Sequence, residues 1–202
     1  MKEFKTKKFT VIEKAISLEM AEFIYQYICL KRRLAGYLFQ NRLISPFTKH
    51  FGHWNDQQVM NTYSIYGDTV METLLLKLKP LMEKKVEQEL IEMYSYCRIY
   101  KKNDVLYRHK DRTSCEISTT LNLGGDSWPI FLEPSGEKNK KGIKVDLKQG
   151  DMLIYKGCEL EHWREPFQGE NNAQVFLHYN VDSEEARKHK YDNRPFIGVT
   201  QQ

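Results

Sequence analysis

In the first half of the chain the apolar positions recur at helical spacing. Leu18, Ala21, Tyr25 and Ile28 follow Ser17, whose hydroxyl suits an N-cap, so residues 17 to about 33 read as an amphipathic helix. Asp68 caps a second helix in the same way. Its stripe is Val70, Leu74, Leu78 and Leu81; Pro80 is expected to bend or loosen it before the pattern resumes at Val86 and Leu90. Both helices read as supports packed on a sheet. Residues 35–67 between them lack clear periodicity and carry Phe39, Phe47, Phe51, Trp54, Tyr63 and Tyr66 among polar residues. A long connection of this kind reads either as a lid or substrate-binding loop, or as a loop tucked onto the core.

From Met93 onward the period changes to that of short strands rich in Tyr, Ile, Val and Thr. They are punctuated at Asn103-Asp104, Gly124-Gly125, Pro134-Ser135-Gly136 and Gln149-Gly150-Asp151. Strands are expected near residues 94–101, 105–111, 115–123, 129–133, 143–147, 151–155, 159–163 and 174–181. Short strands after two helices predict an α+β, mainly β chain: a double-stranded β-helix, or jelly roll, with N-terminal supporting helices. At 202 residues the chain suits one domain, with helical support over 1–92, the jelly-roll core over 93–182 and a C-terminal extension over 183–202.

Composition narrows the picture modestly. Hydrophobic residues at 41% and charged residues at 29% are ordinary for a globular chain. No apolar run approaches the roughly 18 residues of a membrane helix, and the charged start has no apolar stretch suited to secretion, so no membrane association is expected and the cytoplasm is the expected compartment. Cys29, Cys97, Cys115 and Cys158 are widely spaced and read as buried free thiols. The net charge of +4 arises from interspersed residues, and residues 2–8 and the Lys-rich turn at 137–142 read as solvated surface, so nucleic acid is not an expected partner.

In the strand near 105–111, a period of two sends Val105, Tyr107, His109 and Asp111 to one face. An imidazole and a carboxylate side by side supply two ligands of a 2-His-1-carboxylate triad, which binds Fe(II) and leaves coordination positions open. His162 follows about fifty residues later, and a strand turned back across a small barrel can bring it beside that pair. Taken without context, the three read rather as separate surface or packed side chains.

Two stretches carry a family likeness. Residues 94–123, YSYCRIYKKNDVLYRHKDRTSCEISTTLNL, have a Tyr-led strand, a short polar turn, an apolar-aromatic approach to H-x-D and a Thr-rich strand. Residues 150–180, GDMLIYKGCELEHWREPFQGENNAQVFLHYN, have Gly-Asp opening a strand, a histidine near the end of the next, a Gly-containing loop and a further strand. In this order they resemble the two metal-binding halves of the Fe(II)- and 2-oxoglutarate-dependent oxygenases of the prolyl 4-hydroxylase-like group, over about half the chain. The resemblance implies His109, Asp111 and His162 as iron ligands and catalytic centre, with 2-oxoglutarate chelating the metal and O2 as oxidant. It implies decarboxylation to succinate coupled to hydroxylation of an unactivated C–H bond, in a prolyl residue of a peptide or protein or in a small molecule.

Relatives hold the far carboxylate of 2-oxoglutarate with an Arg or Lys on the strand after the distal histidine. This sequence has neither there: by alternation the corresponding face is Asn172, Gln174, Phe176 and His178, or the opposite face if the register is shifted by one. Arg164, two residues beyond His162, is the first candidate for the cation, because a guanidinium matches a carboxylate as a fork; otherwise it forms a surface salt bridge with Glu161 or Glu165. Arg112 is the second, or else it supports Asp111. Tyr100 and Thr119 match positions that supply hydroxyls to the cosubstrate pocket in relatives, and Gln174 offers an amide. His178 reads as a hydrogen-bonded core residue, Trp54 and Trp128 as cleft or core, and His50, His53 and His189 have no ligand-like neighbours. Two other functions use the same barrel: a cupin-like metal hydrolase or isomerase, and a non-catalytic binding module. The sequence leaves the oligomeric state open.

Overall fold

A computed structural model describes residues 3–137 and 140–200. Residue 2 of the basic start and residues 138–139 of the Lys-rich turn lie outside the described residues. The chain runs through α1 (Glu3–Lys7), β1 (Phe9–Ile12), α2 (Leu18–Gln40), β2 (Tyr63–Tyr66), α3 (Thr69–Val86), β3 (Leu90–Lys101) and β4 (Leu106–His109). It continues through β5 (Ile117–Gly125), β6 (Ile130–Glu133), β7 (Ile143–Val145), β8 (Met152–Lys156), β9 (Glu161–Arg164), β10 (Asn171–Val181) and α4 (Glu184–Lys188).

Both expected caps form. Ser17 Oγ accepts the Met20 N–H and Asp68 accepts the Val70 and Met71 N–H groups, satisfying donors that a helix start leaves free. α2 extends to Gln40, past the residue-33 boundary that periodicity suggested. α3 continues through Pro80 and ends at Glu87, whose left-handed backbone (φ 57°) stops the helix. Leu90 therefore belongs to β3 and not to the helical stripe, a correction to the sequence reading. Four short elements, α1, β1, β2 and α4, had not been expected; β1 and β2 are the edge strands of the larger sheet, and each is only 4 residues long, too short for an alternation to declare itself.

The strands form two antiparallel sheets, of order β1-β8-β5-β10-β3-β2 and β4-β9-β6-β7, the two layers of a jelly roll. α2 and α3 cover the outer face of the larger sheet. There Ile28, Met71, Leu75, Cys97, Ile99, Leu121 and Val175 make one continuous apolar core. The opposite face of that sheet, with Tyr100, Leu153, Tyr155 and Phe176, looks into the barrel toward Leu106, Ile130 and Leu132 of the smaller sheet. All four cysteines are unpaired thiols; Cys97 and Cys115 are buried, whereas Cys29 and Cys158 are only half-buried, which corrects the expectation for those two. Among the described residues no helix is long and apolar enough to cross a membrane.

The C-terminal extension is built into this frame. Buried Arg194 donates to Glu72 Oε1 (2.8 Å) and to the Met93 carbonyl (3.1 Å), while Glu72 also accepts the Gly198 N–H at 2.6 Å. Both side chains of this ion pair are almost fully buried. Removing one partner strands the other charge away from water. Arg194→Ala is expected to lower stability by about 3–5 kcal/mol in denaturant unfolding, whereas an effect under about 1 kcal/mol would mean the extension contributes little.

Candidate metal centre

β4 and β9 pair so that His109 lies directly opposite His162, with ring centroids 4.2 Å apart. The register shifts between Leu106 and His109, so both of these residues face the barrel and Tyr107 turns outward, 74% exposed. The expected common face of Tyr107 with His109 is thus corrected, for a bulge inserts a residue and breaks the period of two. Asp111 follows β4, and its Oδ1 lies 3.3 Å from His162 Nε2 and 3.7 Å from His109 Nε2. One ligand atom from each of the three falls within 4.8 Å of the others, so the group can hold one ion.

The hydrogen bonds behind these atoms fix their chemistry. His109 Nδ1 is 2.7 Å from the Tyr107 carbonyl and His162 Nδ1 is 3.0 Å from the Leu160 carbonyl. A carbonyl only accepts, so each Nδ1 carries the proton and each Nε2 presents a lone pair to the common point, the tautomer a metal requires. Burial first, and the neighbouring His162 next, push the His109 pKa down and favour its neutral form. Burial opposes the charge on Asp111, yet the polar groups facing it, His162 first and then His178 and Ser118, outweigh burial and hold the carboxyl well below its usual range.

Asp111 is fixed by two hydrogen bonds. Its N–H donates to the Gly157 carbonyl at 2.9 Å, and Ser118 Oγ donates to its Oδ2 at 2.8 Å. Ser118 Oγ in turn lies 3.0 Å from Nδ1 of buried His178, whose pKa burial pushes down to about 4. The neutral imidazole donates to the serine, which donates to the carboxylate, leaving Oδ1 turned to the histidines. Gly157 supplies the room: a Cβ there would come 2.4 Å from Asp111 Oδ2 and 2.5 Å from Ser118 Oγ. A second grouping, Asp111, Cys115 and His178, is compact enough for an ion. It is the poorer site, because burial and Asp111 push the Cys115 thiol pKa far up and its sulfur already contacts the Tyr94 hydroxyl at 3.0 Å.

A cavity of about 320 Å³ opens in front of the triad, walled in part by Tyr96, Arg98, Leu106, Tyr155 and Phe176. Two residues apart on β9, Arg164 shares the inward face of His162 and is 1% exposed. Its guanidinium donates to the Trp128 carbonyl and to Thr120 Oγ1 (3.3 Å), and its Nε finds no partner. Among the described residues it forms no salt bridge, so the surface pairing with Glu161 or Glu165 is not the arrangement observed; Glu161 pairs with Arg108 instead. Burial lowers its pKa to about 10, which leaves a cation at neutral pH. Such a group fits an incoming carboxylate. Tyr100 packs edge-on against the same Trp128 at 4.7 Å, and Gln174 accepts from Thr120 Oγ1 at 2.8 Å.

Other sequence candidates fall elsewhere. Thr119 belongs to the helix-covered face and accepts the Leu177 N–H at 3.0 Å, so Thr120 is the inward hydroxyl and the expectation for Thr119 was displaced by one residue. Arg112 is committed to Asp192 of the C-terminal extension, bidentate at 2.7 and 2.5 Å, and so offers neither a cosubstrate cation nor a bond to Asp111. Trp128 is buried core over Arg164, while Trp54 packs against the helix-side core with Phe39 and Tyr63.

Sequence reasoning missed two polar side chains, Asp56 and Gln58, of the segment that crosses the site. Asp56 Oδ1 accepts the Gln58 N–H (2.7 Å) and Oδ2 accepts Arg98 Nη2 (2.5 Å) and the Tyr96 hydroxyl, pinning the segment to β3. Gln58 thereby reaches His109, donating from Nε2 to its Nε2 lone pair at 2.8 Å, with Arg98 holding the amide oxygen at 3.1 Å. An ion at the triad must displace this amide. The aromatic richness of residues 35–67 pointed to the segment but not to these polar side chains.

By sequence the chain matches no family model and no curated protein. Its fold matches solved structures. One is a prolyl-4-hydroxylase of Pseudomonas putida (TM-score 0.59, 11% identity, 90% of this chain and 96% of that one covered). Another is HygX of Streptomyces hygroscopicus with nickel, 2-oxoglutarate and hygromycin B bound (0.62, 16%, 93% of each chain). A third is SnoN, a non-heme alpha-ketoglutarate-dependent epimerase from nogalamycin biosynthesis (0.63, 12%, 89% and 80%). At these identities the likeness establishes the jelly-roll fold.

Ser118→Ala removes the hydroxyl that orients Asp111 and is expected to weaken Mn(II) or Co(II) binding by about 10–100-fold in calorimetry, with Gly157→Ala acting in the same direction by displacing the carboxylate. Unchanged affinity in both variants would detach the relay from metal binding.

Proposed function

We propose that the protein is an Fe(II)- and 2-oxoglutarate-dependent oxygenase, with iron held by His109 Nε2, Asp111 Oδ1 and His162 Nε2. The observation that carries this reading is the convergence of two proton-fixed imidazoles and one oriented carboxylate at one point, with the buried Arg164 guanidinium two residues beyond His162 on the same inward face of β9 and without a carboxylate partner among the described residues. The metal sites of hydrolases need no such cation. A dianionic cosubstrate does, since one carboxylate binds beside the metal and the other needs a counter-charge deeper in the barrel. Arg164 would meet that second carboxylate, with Thr120 and Gln174 completing the polar wall and Tyr100 packed beside it.

When bound, iron with 2-oxoglutarate and O2 supplies an oxidant able to attack an unactivated C–H bond. This chain's own residues hold the ligand set open on one side, keep Asp111 ionised through Ser118 and His178, and wall the cavity with Leu106, Ile130 and Phe176 against water. Hydroxylation is the outcome we propose, on a residue of a peptide or protein or on a small molecule. Proline as the target has its support in the resemblance of residues 94–123 and 150–180 alone. The triad and Arg164 leave substrate choice to Asp56, Gln58 and Arg98, which line the same cavity.

Anaerobic addition of Fe(II) and 2-oxoglutarate is expected to give a weak visible charge-transfer band that His162→Ala abolishes; a band unchanged in that variant rejects the ligand assignment. Oxygen-dependent succinate production separates the oxygenase from a hydrolase or isomerase, and absence of 2-oxoglutarate binding heat in the iron-loaded protein would favour a binding module. Arg164→Met carries a double expectation. Cosubstrate binding should weaken by about 2–5 kcal/mol, while the ligand-free protein should melt at a higher temperature because a lone buried charge has been removed. Retained cosubstrate affinity would place the counter-charge elsewhere.

A further inference from the structure

α2 carries two apolar faces. Ala21, Ile24, Ile28 and Ala35 are buried against the larger sheet. On the other side Phe23 (70% exposed), Leu30 (58%), Leu34 (44%) and Tyr37 (59%) face solvent, uncovered by any described residue. These four recur at the seven-, four- and three-residue intervals of a helix-pairing seam. The helix has 23 residues, about 34 Å at its rise per residue, so the stripe runs over much of its length. Singly exposed apolar residues are ordinary, whereas four along one side of a helix, interrupted by exposed Gln26, mark a contact surface.

The charges beside the stripe indicate what covers it. Glu19 and Glu22 flank its first half and Arg33 its second, with Arg42 exposed just past the helix end. A parallel partner helix would set like charges side by side. An antiparallel copy of α2 brings the acidic half of one chain alongside the basic half of the other and sets Phe23 near the partner's Leu34 and Tyr37, with Leu30 close to the two-fold axis. A membrane surface would instead select basic residues along the whole polar flank, and the two glutamates oppose that. We infer that the protein forms a two-fold dimer through antiparallel pairing of α2 with a second copy. An isologous contact of this kind needs only one self-complementary patch. The inference is independent of the oxygenase reading, because the stripe lies on the outer side of the helix layer.

Sedimentation of the full chain at micromolar concentration is expected to give twice the monomer mass. Leu30→Glu should weaken association by about thirty-fold or more, as for a central interface residue, with an unchanged melting profile for the monomer because position 30 is solvent-exposed. Glu22→Arg should weaken it by about 2–5-fold, and the charge-swapped pair Glu22→Arg with Arg33→Glu should restore it. A monomeric wild type overturns the inference, and if it sediments with anionic vesicles the face belongs to a membrane. A dimer indifferent to Leu30→Glu or to Glu22→Arg alone, or one that the double charge swap fails to restore, also overturns it.

Discussion

The backbone register between β4 and β9 governs the interior of this protein. His109 and His162 are direct partners in that pairing, so their imidazoles meet because of where the ladder bonds fall. Slipping the ladder by one residue would turn one of the two rings out to solvent. The bulge before His109 lets Leu106 fill the barrel while His109 still faces inward, so packing and ligation are served by one irregular strand. Asp111 then needs only a short step past the strand end, where the side-chain-free surface of Gly157 admits its carboxylate.

A period of two was enough to read most of the strands and to bring His109, Asp111 and His162 under suspicion. It failed where geometry departs from the ideal. Tyr107 lies on the far side of a bulge, and the Thr119/Thr120 choice turned on which face of β5 meets the helices. Edge strands such as β1 and β2 acquire their identity from a neighbour's free ladder, which no local pattern announces. Asp56 and Gln58 sit in a segment without periodicity, and their positions depend on Arg98 and Tyr96 of a strand some forty residues away.

No Arg or Lys faces inward from β10, and a buried cation stands in the opposite sheet instead. β10 lines the barrel with Gln174, Phe176 and His178, and the cation arrives from β9 through Arg164. Its hydrogen-bond partners are a carbonyl and a hydroxyl, both neutral, in a wall completed by indole and phenol rings. A buried cation with only neutral partners is costly, and pairing with an anion would offset part of that cost. The same helices that cover the larger sheet leave this interior untouched, so the buttress and the chamber are free to serve separate ends.

Gln58 binds the very nitrogen of His109 that an ion would occupy, and thermodynamic linkage makes that competition reciprocal. Whatever strengthens the hold of Arg98 and Asp56 on this segment must lower the affinity of the triad for a cation, and a cation seated there must loosen the segment by an equal free energy. Metal occupancy and the freedom of this segment would therefore be two readings of one equilibrium.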